Sequence, residues 1–282
     1  MSAPAPKGYQ REAVVNALEI FRYAESQLRQ AGDDASRAAA TAFNGCLLLE
    51  APTGSGKTLM AGMIAESFAA PDRDSNARIV WFWFTPFAGL VEQARGVIKS
   101  TFVGLRVRDL QGDRQTRGSR SGDVFVTTWA SVAATNKETR KIRSSGEFVL
   151  ALDDLIAELR AEGFRIGVVV DEAHHGFTRA AEAVRFYRET MRPDFTLMIT
   201  ATPDDQDVDK FKKAAGIEHL HRVRVSRKEA VDAGLIKDGI KSIAYLAADD
   251  QKELVDFPAT ALADGWGMHG AIKHGLQAAG IG

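Results

Sequence analysis

A short glycine-rich stretch is the segment of this sequence whose residue types indicate a chemical function most clearly. Residues 51–58 read Ala-Pro-Thr-Gly-Ser-Gly-Lys-Thr, with an apolar run over 46–49 before them and a helical pattern over 59–65 after them. Glycines let successive backbone N–H groups point inward around an anion, and the following helix adds partial positive charge at its N-terminus. We expect Lys57 to reach the β- and γ-phosphates of ATP and the Thr58 hydroxyl to ligate Mg²⁺.

Two adjacent carboxylates, Asp171 and Glu172, directly follow another apolar run over 166–170. A carboxylate at the tip of a buried strand, on the same sheet edge as the glycine-rich loop, is placed to hold Mg²⁺. We assign that role to Asp171, acting through water, and we expect Glu172 to polarise the water that attacks the γ-phosphate. A surface Asp-Glu pair is the alternative, and the preceding apolar run argues against it.

These side chains require a scaffold that brings several strand ends together. Helical patterns over 9–30, 149–162 and 179–191 alternate with apolar runs. Strands are predicted at 46–49, 78–84, 105–110, 123–127, 166–170 and 195–199. This alternation predicts an α/β fold with a mostly parallel central sheet and helices on both faces. Each segment that carries candidate catalytic or ligand-binding residues follows a strand. Open parallel sheets bind their ligands at these carboxyl ends of the strands.

Composition narrows the class of protein. The chain has 282 residues, 45% of them hydrophobic and 26% charged, as in soluble globular domains. A net charge of −1 excludes a strongly basic nucleic-acid coat but leaves room for a local basic groove. The single cysteine, Cys46, lies in an apolar run and indicates a core position in a reducing compartment. We see no signal peptide and no run of membrane-spanning length, and we therefore expect a cytoplasmic protein without a membrane partner.

Three segments together resemble the motifs of a known group of motor proteins. Residues 51–58, Asp171-Glu172-Ala173-His174-His175 and Thr200-Ala201-Thr202 resemble, in this order, motifs I, II and III of superfamily 2 helicases. Alanine at position 51, where the general phosphate loop has glycine, is the variant that these helicases use. Residues 8–14 resemble the adenine-reading segment, and residues 155–160 and 229–236 resemble the helicase subunit of type III restriction systems. The resemblance covers most of the chain.

The resemblance implies a RecA-like P-loop NTPase that couples ATP hydrolysis to movement on DNA. It implies that Gln10 reads the adenine edge, that His174 couples the nucleotide site to a neighbouring domain, and that Thr200 and Thr202 link hydrolysis to strand movement. The implied nucleotide-binding residues are Tyr9, Gln10, Thr53, Gly54, Ser55, Gly56, Lys57 and Thr58. The implied contacts with the nucleic-acid backbone are Thr85, Pro86, Leu90, Gln93, Thr127 and Thr128. For Thr127 and Thr128, hydrogen bonding at a strand end is an equal alternative.

Weaker signals come from arginines, histidines and tryptophans. Two basic groups could line a DNA channel or lie in solvated loops: Arg106, Arg108, Arg114, Arg117 and Arg120, and Lys137, Arg140, Lys141 and Arg143. His219 and His221 have metal-ligand spacing in an extended segment, but no third ligand lies near them, and we predict no metal there. Trp81 and Trp83 could stack on bases, but their apolar strand favours the core.

No second glycine-rich strand end and no Gln-x-x-Gly-Arg-x-x-Arg run follows Thr202. Superfamily 2 motors hold ATP between two RecA-like domains, and the second domain supplies arginines. We therefore interpret the chain as a motor half, with a helical segment over 1–42, a RecA-like domain over 43–246 and a linker over 247–282. Two other hypotheses remain open. One is a stand-alone nucleotide-dependent binding module completed by a partner chain. The other is an RNA-remodelling motor, whose motifs usually read Asp-Glu-Ala-Asp and Ser-Ala-Thr.

Overall fold

A seven-stranded parallel sheet forms the centre of the molecule in this computed structural model. The structure describes residues 5–70, 78–133, 145, 149–173, 181–203 and 205–236. The strands are β1 (Cys46–Glu50), β2 (Arg78–Thr85), β3 (Arg106–Arg108), β4 (Asp123–Thr128), β5 (Phe164–Asp171), β6 (Phe195–Thr200) and β7 (His221–Arg224). Their order is β3-β4-β2-β5-β6-β1-β7, and every hydrogen-bonded pair is parallel. The predicted α/β fold with a parallel sheet is confirmed.

Helices connect the strands and cover both faces of the sheet. They are α1 (Gly8–Gln30), α2 (Asp34–Asn44), α3 (Lys57–Ala69), α4 (Ala88–Thr101), α5 (Trp129–Ala133), α6 (Leu152–Ala161), α7 (Ala181–Phe186), α8 (Asp205–Ala215) and α9 (Arg227–Asp232). Local sequence sets several of their ends. The Asp33 carboxylate accepts a hydrogen bond from Ser36 N at the start of α2, and the Ser226 hydroxyl does the same for Glu229 N at the start of α9.

The alternation of side chains along each strand builds two separate cores. Leu47 and Leu49 of β1 pack in the core that includes α1, α3 and α4, whereas Leu48 packs in the core that includes α6 and α8. Trp81 and Trp83 of β2 are 0% exposed, which confirms the prediction of core positions. Truncating a large buried aromatic side chain typically costs about 3–5 kcal/mol, so these strands strongly favour their observed register.

The strand register brings the segments with candidate functional residues to one edge of the sheet. Glu50 at the end of β1 pairs with Thr200 at the end of β6, and Asp171 at the end of β5 pairs with Ile199. On the other side, Thr85 of β2 pairs with Thr128 of β4. Because all these strands are parallel, their carboxyl ends form one continuous edge, as the sequence predicted.

Some predicted elements differ in length from the observed ones. The predicted helix over 179–191 is α7 followed by a π-helical turn over Tyr187–Met191, which ends at Arg192 with a φ of 43°. The buried Tyr187 hydroxyl lies 2.7 Å from Thr196 Oγ1 of β6, and this contact anchors the wider turn. Helix α6 begins at Leu152 rather than at 149, and β3 has only three residues.

The described residues belong to one compact unit that extends to Ile236. The predicted domain boundaries at residues 42 and 246 stay predictions, and the predicted linker over 247–282 lies outside the described residues. In the described part of the chain, no helix combines the length and the apolar character needed to cross a bilayer.

Candidate functional site

The glycine-rich loop joins β1 to α3 at the carboxyl edge of the sheet. Gly54 and Gly56 have φ values of 83° and 85°, in the left-handed region that side chains with a Cβ rarely adopt. A Cβ at Gly56 would also lie 2.5 Å from Gln10 Nε2. The two glycines therefore satisfy a real backbone requirement, and the strand–loop–helix arrangement predicted from the sequence is present.

Two side chains from the start of α1 hold this loop. Tyr9 Oη and Gln10 Nε2 each donate a hydrogen bond to the backbone carbonyl of Ser55, both at 2.7 Å. Tyr9 and Gln10 are 8% and 2% exposed, so these hydrogen bonds are shielded from water. Burial also raises the pKa of the Tyr9 hydroxyl, which keeps it a donor. The segment predicted to read adenine thus lies directly beside the phosphate loop.

Lys57, the first residue of α3, faces the carboxylate that follows β5. Its Nζ lies 3.2 Å from Glu172 Oε1, and the two side chains are 7% and 23% exposed. Glu172 has a φ of 48°, an uncommon conformation for a residue with a Cβ. Two motifs that are 115 positions apart in the sequence therefore meet at one ion pair, as the prediction of a shared sheet edge requires.

Asp171 ends β5 inside this site and is 7% exposed. Burial raises the pKa of its carboxyl to about 6, and the charge of Glu172 contributes to the rise. The contacts with Trp83 and Lys57 offset part of this effect. A desolvated carboxylate gains most from a cation, so the electrostatics of Asp171 suit a metal ligand.

The residues of this site fit ATP with Mg²⁺. Ser55 is fully buried in the loop, and its hydroxyl oxygen has no hydrogen-bond partner among the described residues. An orphaned buried hydroxyl is costly, and a phosphate oxygen would satisfy it. Lys57 and the loop N–H groups would face the phosphates, while Thr58 and Asp171 supply the oxygen ligands that Mg²⁺ prefers. Thr53 is exposed at the mouth of the loop.

The last two residues of β6 are hydrogen-bonded to both preceding motifs. The Thr200 carbonyl accepts a hydrogen bond from Ala51 N at 3.0 Å, and the Ile199 carbonyl accepts one from Ala173 N at 3.1 Å. The Thr200 hydroxyl accepts a hydrogen bond from Thr202 N at 3.3 Å. Thr200 and Thr202 therefore lie next to the nucleotide site, where a coupling role was predicted. His174, the other predicted coupling residue, lies outside the described residues.

The side chains predicted to contact nucleic acid divide into buried and accessible ones. Thr85 is 0% exposed, and its hydroxyl donates a hydrogen bond to Phe87 O at 3.1 Å, which differs from the expected phosphate contact. Thr127 and Ser131 are joined through their hydroxyls at 2.7 Å, which is the strand-end alternative. Pro86 and Thr128 are half-buried, and Gln93 is exposed on α4.

Two members of the first arginine group have structural roles rather than lining a channel or lying in a solvated loop. Arg108 and Arg114 are each 4% exposed. Arg108 pairs with Asp113 and with Asp123, and Arg114 donates hydrogen bonds to the carbonyls of Leu110 and Leu150. Both predictions for these two residues are therefore wrong, because carboxylates and backbone carbonyls satisfy their buried guanidinium groups. Arg106 also pairs with Asp123, whereas Arg117 and Arg120 are exposed. The second basic group lies outside the described residues.

His219 and His221 lie close together, but no third metal-ligating side chain accompanies them in the described part of the chain. The rings of His219 and His221 are 4.4 Å apart between centroids and nearly perpendicular. Burial and the proximity of His219 lower the pKa of His221. Among the described residues, no group of three or more His, Cys, Asp or Glu side chains could hold a metal ion.

One charged cluster beside the loop was not predicted. Glu50, the last residue of β1, is 5% exposed and pairs with Arg222 at 3.1 Å and Arg224 at 2.7 Å, both on β7. A glutamate that ends an apolar run just before the glycine-rich loop was the available signal. The identity of its partners depends on strand order, which the sequence does not reveal.

The sequence of this chain is similar to that of a known protein family. A family model described as "Type III restriction enzyme, res subunit" matches residues 4–205. No curated protein sequence matches the chain.

Several solved structures are similar to the chain at low sequence identity. The Pyrococcus furiosus Hef helicase domain is 19% identical with a TM-score of 0.40, over 67% of this chain and 36% of that chain. The Sulfolobus solfataricus SWI2/SNF2 ATPase core in complex with dsDNA is 14% identical with a TM-score of 0.46, over 82% and 47%. The type ISP restriction-modification enzyme LlaGI in complex with a DNA substrate mimic is 18% identical with a TM-score of 0.43, over 81% and 18%. The chain thus spans less than half of each of these proteins.

Proposed function

Because the chain belongs to the family of type III restriction enzyme res subunits, we propose that it is the ATP-binding half of a superfamily 2 DNA helicase or translocase. The observation that carries this proposal is the ion pair, at 3.2 Å, between the buried Lys57 and the half-buried Glu172. It joins the phosphate loop to the carboxylates after β5, which is the arrangement needed to hold a nucleotide and to activate water beside it.

Each side chain in the site then has a defined task. Lys57 exchanges Glu172 for a phosphate oxygen when the nucleotide enters, and the positive end of α3 supports the same charge. This exchange frees the Glu172 carboxylate to accept a proton from the attacking water. Thr58 and Asp171 would hold Mg²⁺, which neutralises phosphate charge when it is bound. Tyr9 and Gln10 fix the loop through the Ser55 carbonyl, and Gln10 reads the adenine edge.

The partners follow from the same proposal. DNA would be held through its phosphate backbone, with Pro86, Gln93 and Thr128 as accessible contacts beside the strand ends. A second RecA-like domain, in the same protein or on a partner chain, would supply arginines to the phosphates, and His174 would contact that domain. We place the protein in the cytoplasm and its work in restriction or phage defence, in keeping with its family and its single buried cysteine.

Nucleotide binding tests this proposal directly. A fluorescent ATP analogue is titrated with Mg²⁺ into the wild-type chain, into Lys57→Ala, and into Lys99→Ala as a control with an exposed lysine on α4. Loss of Lys57 removes the only charge-bearing donor that the phosphate loop itself contributes, so binding should disappear while Lys99→Ala binds as the wild type does. Equal affinity of all three chains would exclude the proposed nucleotide site.

A further inference from the structure

The guanidinium group of Arg222, on β7, pairs with carboxylates on two different elements. Arg222 Nη1 donates a hydrogen bond to Glu50 Oε1 at 3.1 Å, and Arg222 Nη2 donates one to Asp205 Oδ1 at 2.8 Å. Glu50 immediately precedes the phosphate loop, and Asp205 opens α8 just after the segment 200–203. One side chain therefore contacts both the residue that precedes the phosphate loop and the first residue of α8.

The Glu50 end of this link is buried and held by several contacts. Glu50 is buried, and its own backbone carbonyl accepts a hydrogen bond from Val225 N at 2.8 Å. A buried carboxylate is costly without cationic partners, and Arg222 and Arg224 provide two of them. The next residue along, Ala51, donates to the Thr200 carbonyl, so backbone hydrogen bonds and ion pairs act on the same few residues.

The Asp205 end of the link is more open. The Asp205 side chain is 72% exposed and that of Arg222 is 35% exposed, so water screens this ion pair. The two ends therefore differ in strength, and a displacement near α8 can break the Asp205 contact while the Glu50 contact persists. Arg224 contacts Glu50 from a neighbouring position and is 68% exposed, and the described contacts give it no bond to Asp205.

We propose that Arg222 is a positioning residue that couples the base of the phosphate loop to the start of α8, and thereby to the segment containing Thr200 and Thr202. This inference rests on the proposed nucleotide site. The planar guanidinium is suited to the task because its fixed donors can engage two carboxylates at once, whereas a lysine ammonium acts as a point charge. Nucleotide entry at the loop then alters the Arg222–Asp205 contact, and the reverse also holds.

Three variants, compared with the wild type, separate coupling from simple stabilisation. Affinity for a fluorescent ATP analogue with Mg²⁺ and the melting temperature are measured for the wild type, Arg222→Gln, Arg222→Lys and Arg224→Gln. Residues that couple sites typically change affinity by about two- to thirtyfold, and we expect a loss in this range for Arg222→Gln. Arg224→Gln removes an exposed partner of the same carboxylate and should stay within about twofold of the wild type. Arg222→Lys should restore the melting temperature but not the affinity.

A cycle with the two carboxylates provides a second readout. Glu50→Gln and Asp205→Asn should change the affinity non-additively in the wild type and additively in the Arg222→Gln background. Equal affinities for Arg222→Gln and Arg224→Gln would overturn the coupling role, as would recovery of both affinity and melting temperature in Arg222→Lys. A wild-type chain that does not bind the analogue would instead overturn the proposed function and this inference with it.

Discussion

Replacing Glu172 with glutamine is expected to tighten nucleotide binding and to remove hydrolysis. In the structure, Lys57 Nζ lies 3.2 Å from Glu172 Oε1, and the lysine side chain is 7% exposed. A phosphate that binds Lys57 competes with Glu172 for the same ammonium group, so the wild-type chain loses part of its binding energy to that competition. Glutamine keeps the shape of the side chain and removes the charge that competes with the phosphate.

The size of the gain follows from the geometry. A hydrogen bond to a charged group contributes about 1.5–3 kcal/mol. The Glu172 side chain is 23% exposed, and glutamine can still accept a weaker hydrogen bond from Lys57. Both facts place the gain just below this range, and we expect about 1.4 kcal/mol, which corresponds to about tenfold tighter binding. Loss of the general base should lower turnover by about 10²–10⁴-fold in a protein that carries both RecA-like domains.

Titration with a fluorescent ATP analogue and Mg²⁺ measures the affinity, and phosphate release measures turnover. Glu19→Gln is a matched control, because it removes an exposed carboxylate from α1 far from the phosphate loop in sequence. Weaker binding by Glu172→Gln than by the wild type would show that Glu172 does not compete for Lys57. Turnover at the wild-type rate would show that Glu172 is not the base.

Three other outcomes follow from the structure and the sequence. Residues 1–282 alone should hydrolyse ATP slowly even with saturating DNA, because an arginine finger is worth about 10³–10⁵ in rate and no Gln-x-x-Gly-Arg-x-x-Arg run is present. Full turnover by the short chain would mean that an arginine within it, or one from a second copy, serves instead. DNA binding measured by anisotropy should be weak and should decline steeply with salt, because few phosphate contacts are available, and tight binding at high salt would contradict this. Asp171→Asn should raise the melting temperature of the nucleotide-free chain at pH 8. The folded-state pKa of Asp171, about 6, lies above the ordinary aspartate value of 3.8, so the cost of the buried charge is full above pH 6 and disappears towards pH 4. An advantage of Asp171→Asn that stays constant between pH 4 and pH 8 would disprove this origin.

The parts of the fold that local sequence specifies could be predicted. The apolar run over 79–84 is buried on both faces, and such a run is typical of a central parallel strand, so β2 was placed correctly. The glycine-rich loop was equally accessible to prediction, because its backbone requirement falls on Gly54 and Gly56 themselves. Lys57 and Glu172 were brought together by the rule that parallel strands share a carboxyl edge.

The parts that depend on distant partners could not be predicted. Glu50 pairs with Arg222, 172 positions away, and only the placement of β7 beside β1 brings them together. Arg108 reads as a surface residue in the sequence, but Asp113 and Asp123 close around it in the fold. The break between α7 and its π-helical turn depends on the contact of Tyr187 with Thr196 across the core.

At both margins of the sheet, ion pairs between arginines and a carboxylate join the edge strand to its neighbour. At one margin, Arg106 and Arg108 of β3 hold Asp123 of β4, and at the other, Arg222 and Arg224 of β7 hold Glu50 of β1. An unpaired strand edge is a template for intermolecular β-pairing, and short strands that carry charges resist it. A foreign strand that docked against β3 or β7 would meet a strand of only three or four residues, with arginines at two alternate positions. The arginines that form these ion pairs therefore also oppose aggregation by intermolecular pairing at the edge strands.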